Sequence, residues 1–434
     1  MNKILTFAVA MAALTSLTAS AITLDSRQCV AMALESSADL KVADNSLEQT
    51  RLQRGVARTA YLPNFAGSAM LNSMLPDMEA MGMTLNMKAM WLAGINVTQP
   101  IFAGGKIIAS NKLAGIGVKA AQQQRRMTRA EVSADAQNSY WTYVAILAKV
   151  RMMRSYVAQI DSAYALTKTS LEAGMVTRND LQRIEARRAQ VIYQLGQVEN
   201  GANLSRMSLC HAIGVDTATE ITPADDEVAI ELPSDLNDYS ILDRPEAALL
   251  QLDIDAKRQQ VNVTRADYLP TLALMAGWTA YGNIRVSSMQ MGPDGNYYPF
   301  NSTTNDNIWN IMVSLRVPLW HWGEGIKKVK HAKIEAENAE IIREDRLKLM
   351  SLEVRQAIDN VNSGSQLLDA ARLAMRQADT NLANISQAYE LGLSSLTDLL
   401  DAQSQWHSTS SDLIEASTQL RIYCVDYLRV TGRL

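Results

Sequence analysis

At 434 residues with 47% apolar content, the chain can bury a large core, and its net charge of −4 leaves no basic face for nucleic acid. Its four histidines, His211, His321, His331 and His407, do not fall at metal-ligand spacing, and Gly104-Gly105-Lys106 lacks the rest of a phosphate loop. Neither a cofactor, a metal nor an enzymatic activity is expected.

In chain order, Lys3, the apolar run Ile4 to Leu17 and Ala19-Ser20-Ala21 form a secretory signal ending in a small-x-small cleavage site. The mature chain is expected to begin at Ile22. Cys29 lies eight residues past Ala21, so a lipid-modified N-terminus is not signalled. No later stretch approaches the roughly 18 uninterrupted apolar residues of a membrane-spanning helix, so any crossing is made by strands.

The remainder is an internal duplication. Glu172-Ala-Gly174-Met175-Val176-Thr177-Arg178-Asn-Asp180-Leu181 returns 218 positions later as Glu390-Leu-Gly392-Leu393-Ser394-Ser395-Leu-Thr-Asp398-Leu399. Tyr61-Leu-Pro63 returns as Tyr268-Leu-Pro270 at an offset of 207, so 11 residues are inserted between Pro270 and Pro318. The expected organisation is a first repeat over 22–216, an exposed connector over 217–243 containing Pro223, Asp225-Asp-Glu227 and Pro233, and a second repeat over 244–434. Each repeat reads as helix, strand, strand, very long helix, long helix.

The strands show a period of two. Phe65, Gly67, Ala69, Leu71 and Trp91, Ala93, Ile95, Val97 form one pair of apolar faces; Leu272, Leu274, Ala276, Trp278 and Trp309, Ile311, Val313, Leu315, Val317, Leu319 form the other. Ten-residue segments with one continuous apolar face match outer-membrane barrel strands. Trp91, Trp278, Trp309, Trp320 and Trp322 crowd the strand ends, as an interfacial aromatic belt requires. Four strands cannot close a barrel, so symmetric copies share one; a dimer gives eight strands, and a trimer gives twelve with room for a lumen. The 281–307 segment, with Gly282, Gly292-Pro-Asp-Gly295 and many Asn, Ser and Thr, reads as an extracellular loop holding the insertion.

The helices show spacing alternately four and three. The stripe Val132, Ala136, Ser139, Tyr143, Ile146, Val150, Met153, Val157, Ile160, Tyr164, Thr167 has its counterpart from Met350 to Ile385. Shorter stripes run from Leu181 to Ala202 and from Leu399 to Val430. Such heptads mean coiled-coil packing, and the short links at Gly174 and Gly392 allow only antiparallel hairpins. From Gly105 to Leu171 is roughly 100 Å of helix at 1.5 Å per residue. Such a rod offers no sugar cleft in which Asp398 and Asp401 could act as a glycosidase pair. Of the three cysteines, Cys210 and Cys424 sit near the ends of corresponding helices; a disulfide is conceivable, and small apolar core residues are the favoured reading.

These features together resemble the TolC-type outer-membrane efflux proteins over nearly the whole mature length. The duplicated Tyr-Leu-Pro entries carry the resemblance, with Gln99-Pro-Ile-Phe-Ala-Gly-Gly105 and Val317-Pro-Leu-Trp-His-Trp-Gly323. So do Asp243-Arg-Pro-Glu246, Ala388-Tyr389-x-x-Gly392 and Asp398-Leu-Leu-Asp401-Ala-Gln403. The resemblance implies a mixed α/β membrane protein: a homotrimer with a 12-stranded outer-membrane barrel in lipid, four strands per chain, continued by a coiled-coil tunnel in the periplasm. Its partners would be a periplasmic adaptor and an inner-membrane pump. Tyr389 looks like the family's pore-end tyrosine, Asp398 and Asp401 like its acidic constriction rings, and Asp180 like the partner aspartate on the first hairpin. Closed members carry an arginine where this chain has Ser394, and Arg178 is the candidate substitute.

The physics of the aspartates points the same way, since positions i and i+3 share a helix face. Three copies would crowd six carboxylates at one mouth and raise some of their pKa values. The tips Gly174-Met175-Val176 and Gly392-Leu393-Ser394 are expected to dock the adaptor, because an apolar residue at an exposed turn needs a cover. The expected function is a passive exit duct of a tripartite efflux or secretion system. The alternatives are the channel of a one-step protein secretion machine and a non-channel coiled-coil envelope scaffold, the second disfavoured by the strands.

Overall fold

The computed structural model describes residues 22–80, 83–233, 236 and 240–434, so the expected signal peptide, 1–21, lies outside the described residues. The first part of the chain runs β1 (Ile22–Leu24), α1 (Ser26–Ser36), α2 (Ala38–Thr59), β2 (Asn64–Asn72), β3 (Met78–Ala80), β4 (Met83–Asn86), β5 (Met90–Ala103), α3 (Lys106–Glu172) and α4 (Arg178–Ile213). The second part runs β6 (Ile221–Pro223), α5 (Pro245–Ala266), β7 (Thr271–Met291), β8 (Tyr297–Arg316), α6 (Glu324–Glu390) and α7 (Leu396–Val430). The chain forms two compact units. One comprises residues 46–121 and 250–342, and the other 22–45, 122–249 and 343–434, so each draws on both halves of the sequence.

In the strand-bearing unit β2 pairs antiparallel with β5, β5 with β7, and β7 with β8. The registers bring the four expected apolar rows onto one face. Leu71 lies opposite Trp91, Gly67 opposite Ile95, Ile95 opposite Trp278, and Trp278 opposite Trp309. A one-residue slip in any pairing would turn that strand's apolar row to the other face, so the pattern and the pairing specify each other. The other face carries Asn64, Ser68, Asn96, Thr98, Thr279, Asn310 and Ser314. Gly277 lies between Asn96 and Asn310, and a Cβ there would come within 2.5 Å of Asn310 Oδ1 and 2.7 Å of Asn96 Oδ1. The apolar row of β8 is bare in the single chain, with Trp309 78% and Ile311 81% exposed. Among the described residues β2 pairs only with β5 and β8 only with β7, leaving one open edge on each.

Two strand expectations need correction. β8 stops at Arg316, so Val317 and Leu319 do not extend it; Pro318 has no N–H for a ladder bond. The 281–307 segment is not an irregular loop. β7 and β8 continue to Met291 and Tyr297, leaving only residues 292–296 between them. The continuation follows a bulge between Tyr281 and Ile284, where Asn283 takes φ +63°. Ser, Thr and Asn on both faces hide the period of two, while the ladder to the partner strand supplies the order. The first half carries a shorter counterpart, the β3–β4 hairpin, whose β4 pairs with β7 at Met83–Asn86 opposite Arg285–Ser288.

The helical unit is built from the heptad stripes. Ala136, Tyr143, Val150, Met153, Ile160 and Thr167 of α3, Ile184 and Val191 of α4, Val354, Ala357, Val361 and Leu368 of α6, and Leu399, Leu420, Tyr427 and Val430 of α7 are buried. Three clusters result, one around Tyr140, Tyr143 and Leu209, one around Met153, Tyr156, Ile160, Ile184 and Leu399, and one around Val354, Leu420 and Tyr427. Cys29, Cys210 and Cys424 are free, buried thiols; Cys210 belongs to the first cluster and Cys424 to the third. The connector is less exposed than expected. Ile221 is buried where β6 pairs parallel with β1, and Ile230, Leu236 and Ile241 pack against the third cluster. In the Asp243-Arg-Pro-Glu246 motif the buried guanidinium of Arg244 meets Glu246 at 3.2 Å and Glu353 at 2.9 Å. No described helix is long and apolar enough to cross a membrane.

Candidate functional site

Both helical hairpins turn by the same device. Gly174 and Gly392 sit at φ +75° and +72°, the left-handed region glycine tolerates best. Gly174 N–H donates to Leu171 O and Met175 N–H to Ser170 O; Gly392 and Leu393 repeat the pattern onto Tyr389 O and Ala388 O. These are Schellman closures, in which the residue after the glycine commonly packs back on its helix. Here it does not, for Met175 is 80% and Leu393 79% exposed. Val176 is half-buried, so the bare apolar residue of the first tip is Met175, the counterpart of Leu393.

Each second helix opens with a capping box. Thr177 Oγ1 accepts from Asp180 N–H, while the Asp180 carboxylate accepts from Thr177 N–H at 3.0 Å and from its hydroxyl at 2.7 Å. Ser395 and Asp398 repeat this at 3.0 and 2.7 Å, and Ser394 Oγ also donates to Asp398 at 3.3 Å. The cap hydroxyl first, then the cap N–H, hold both carboxyls below the usual range. The upward shift expected at Asp398 belongs to six carboxylates gathered from three chains, whereas within one chain the cap sets a downward direction. Each of these hydrogen bonds favours the charged form, whereas crowding would oppose it. Asp401, one turn further on the same exposed face, forms no ion pair with any described residue.

The two hairpins are joined to each other near these tips. The buried hydroxyl of Thr167 donates to Ala163 O at 2.8 Å and lies 2.7 Å from the hydroxyl of Tyr389. With its proton committed to Ala163, Thr167 accepts and Tyr389 donates. A cleft of about 390 Å³ opens alongside, lined by Gln159, Ser162, Ser386, Tyr389 and Gln403. Arg183 donates to Thr397 Oγ1 at 2.7 Å, and Arg187 donates to Tyr156 Oη and Ser404 Oγ at 2.8 and 3.1 Å. Behind them His407 stacks on Tyr156 at 4.9 Å, and burial, with the Arg187 charge adding to the effect, pushes its pKa below the usual imidazole value.

The structure therefore brings Tyr389 into a link between the hairpins and leaves Asp398 and Asp401 exposed one turn apart. Asp180 and Asp398 each cap their own helix. Arg178, the expected substitute for the missing arginine, reaches no carboxylate among the described residues; Arg183 makes the nearby connection instead. Sequence reasoning placed Thr167 only as a seam position and passed over Arg183 and Arg187. The available signal was a hydroxyl at a buried heptad position with arginines beside the facing seam. In the strand-bearing unit Trp278 and Trp309 pair at 6.4 Å, Trp91 covers Gly282, and Trp320 and Trp322 meet edge-on at 5.9 Å.

Comparison with known proteins gives a consistent result. The chain is 19% identical over 413 residues to the probable outer membrane lipoprotein SilC of Salmonella typhimurium, covering 92% of this chain and 84% of that one. It is 22% identical over 423 residues to the outer membrane protein OprJ of Pseudomonas aeruginosa, covering 94% and 83%. Its fold superposes on the crystal structure of the Campylobacter jejuni CmeC outer membrane channel with a TM-score of 0.77 at 19% identity, over 94% of this chain and 85% of that one. The architecture is that of the trimeric outer-membrane channels, which combine a β-barrel with an α-helical tunnel. The profile of one family, outer membrane efflux protein, matches residues 29–215 and again 240–432. The chain belongs to the outer membrane efflux protein family.

Proposed function

We propose that this chain is the outer-membrane exit duct of a tripartite efflux system, a passive channel whose tunnel end is narrowed by Asp398 and Asp401 and held shut in part by the Tyr389–Thr167 link. The homotrimer resides in the outer membrane with a large periplasmic part and works with a periplasmic adaptor and an inner-membrane pump. The observation that carries the gating reading is the 2.7 Å hydroxyl contact joining the two hairpins one turn before the second tip. A mouth that opens by moving one hairpin against the other must break it. In this reading Asp180, like Asp398, also fixes the start of its helix, and Met175 and Leu393 are the apolar knobs that meet the adaptor. Trp91, Trp278 and Trp309 face one membrane interface and Trp320 and Trp322 the other.

The test is single-channel conductance of the purified trimer in planar bilayers. Tyr389→Phe and Thr167→Val, each removing one hydroxyl, are expected to raise the conductance several-fold or lengthen open times. Unchanged records in both variants would remove the link from the gate.

A further inference from the structure

Seven of the 21 methionines fall within 21 consecutive positions, 70 to 90. Burial does not account for four of them, since Met70, Met74, Met78 and Met83 are 42–54% exposed, and Met87 and Met90 are only half-buried. A lipid-facing role does not account for them either. Met70 and Met90 stand on the face opposite the Leu71–Trp91 apolar row, and the stretch beyond them also holds Asn72, Ser73, Asp77, Glu79, Asn86 and Lys88. The same chain supplies a comparison. The corresponding excursion in the second half, 283–306, carries two methionines, Met289 and Met291, among many Asn, Ser and Thr.

Two cross-strand registers and one backbone hydrogen bond bring six of the seven together two by two. Met70 lies opposite Leu92 and Asn72 opposite Met90, which makes Met70 and Met90 diagonal neighbours on one face. Met74 N–H donates to Met87 O at 3.4 Å. Met78 lies opposite Leu85 and Ala80 opposite Met83, so Met78 and Met83 are again diagonal neighbours on one face. Diagonal positions are about 7–8 Å apart, within reach of long side chains. Asp77 fastens this excursion through Lys88 at 3.2 Å and Asn86 at 3.2 Å, so the strands that carry the pairs are tied at their base. Thioether sulfur is a soft, polarisable donor that selects soft cations such as Cu(I) over Mg²⁺, Ca²⁺ or Mn²⁺.

We propose that Met70 with Met90, Met74 with Met87, and Met78 with Met83, at the adjoining ends of β2 and β5 and in the excursion between them, form a binding site for a soft monovalent cation, Cu(I) or Ag(I), held between paired thioethers. The assignment is independent of which substrate the duct carries.

The probe is silver nitrate, titrated calorimetrically into the detergent-solubilised trimer in chloride-free buffer. At least one Ag⁺ per chain is expected. Replacing Met70, Met74, Met78, Met83, Met87 and Met90 together by Leu removes the sulfurs while conserving apolar volume, and is expected to weaken binding at least tenfold. Met207→Leu, at an exposed helical methionine, is expected to leave it unchanged. A second measurement uses the unaltered protein. Peroxide transfers one oxygen to a free thioether and leaves as water, and a sulfur whose lone pair is bound to Ag⁺ resists this. Mass spectrometry is expected to show oxidation of the 70–90 methionines slowed at least fivefold by Ag⁺, with Met175 unprotected. Parent-like Ag⁺ affinity in the sixfold variant, or equal oxidation of the 70–90 methionines with and without Ag⁺, would overturn the proposal; the second result decides the matter if the variant does not assemble.

Discussion

A hydroxyl and a carboxylate three residues apart fix where α4 and α7 begin, at Thr177 with Asp180 and at Ser395 with Asp398. The turn glycines Gly174 and Gly392 were read in the sequence because they follow a local rule; the capping boxes obey an equally local one, yet Asp180 and Asp398 were read there as pore residues. The Tyr389–Thr167 contact was not legible there, since it joins residues 222 apart whose meeting depends on how two hairpins pack. The carboxyl of Asp398 titrates lower in the folded chain than when unfolded, so its stabilising effect is fully present above the unfolded value of about 3.9. It is lost as the pH falls through the lower, folded value. Thermal unfolding of the parent and of Asp398→Ala is therefore expected to show a constant difference in midpoint from pH 7 to near pH 4, narrowing only below that. A difference that disappears between pH 6 and 5 would mean that carboxylate crowding in the trimer overrides the cap.

At the scale of elements, the period of two located the membrane-type strands because one face of each meets a uniform apolar surrounding. It failed for residues 283–291 and 297–306, where polar residues occupy both faces and only the ladder between β7 and β8 reveals strand. The turn at 292–296 is accordingly the outermost part of that hairpin. An epitope tag inserted after Asp294 is expected to be labelled on intact cells, and labelling only after permeabilisation would reverse the topology. At the turns of the two helical hairpins, Met175 and Leu393 are exposed apolar residues. Met175→Asp with Leu393→Asp is expected to reduce export at least tenfold while trimer yield stays at the parental level, because a charge buried without a partner in the adaptor contact is costly. Export at the parental rate would place the docking surface elsewhere.

At the scale of the whole molecule, the open edges of β2 and β8 and the bare apolar row of β8 require neighbours and lipid, which the trimer and the outer membrane supply. Much of this was readable in the duplicated sequence, since four strands cannot close a barrel and heptads sustained in four segments call for partner helices. What pattern could not provide was how the two hairpins are tied to each other. The arginine that the resemblance led one to seek is absent at Ser394, and the hairpins are tied instead by Tyr389, Arg183 and Arg187 onto hydroxyls. Asp398 and Asp401 are left facing outward one turn apart, so three chains would set six carboxylates around one mouth, concentrating cations and repelling anions. The most direct measurement is the reversal potential across a planar bilayer under a tenfold salt gradient, comparing the parent trimer with the Asp398→Asn plus Asp401→Asn variant. Cation selectivity in the parent and a shift of the reversal potential toward zero in the variant are predicted; identical reversal potentials would contradict the account by placing the limiting constriction away from both aspartates.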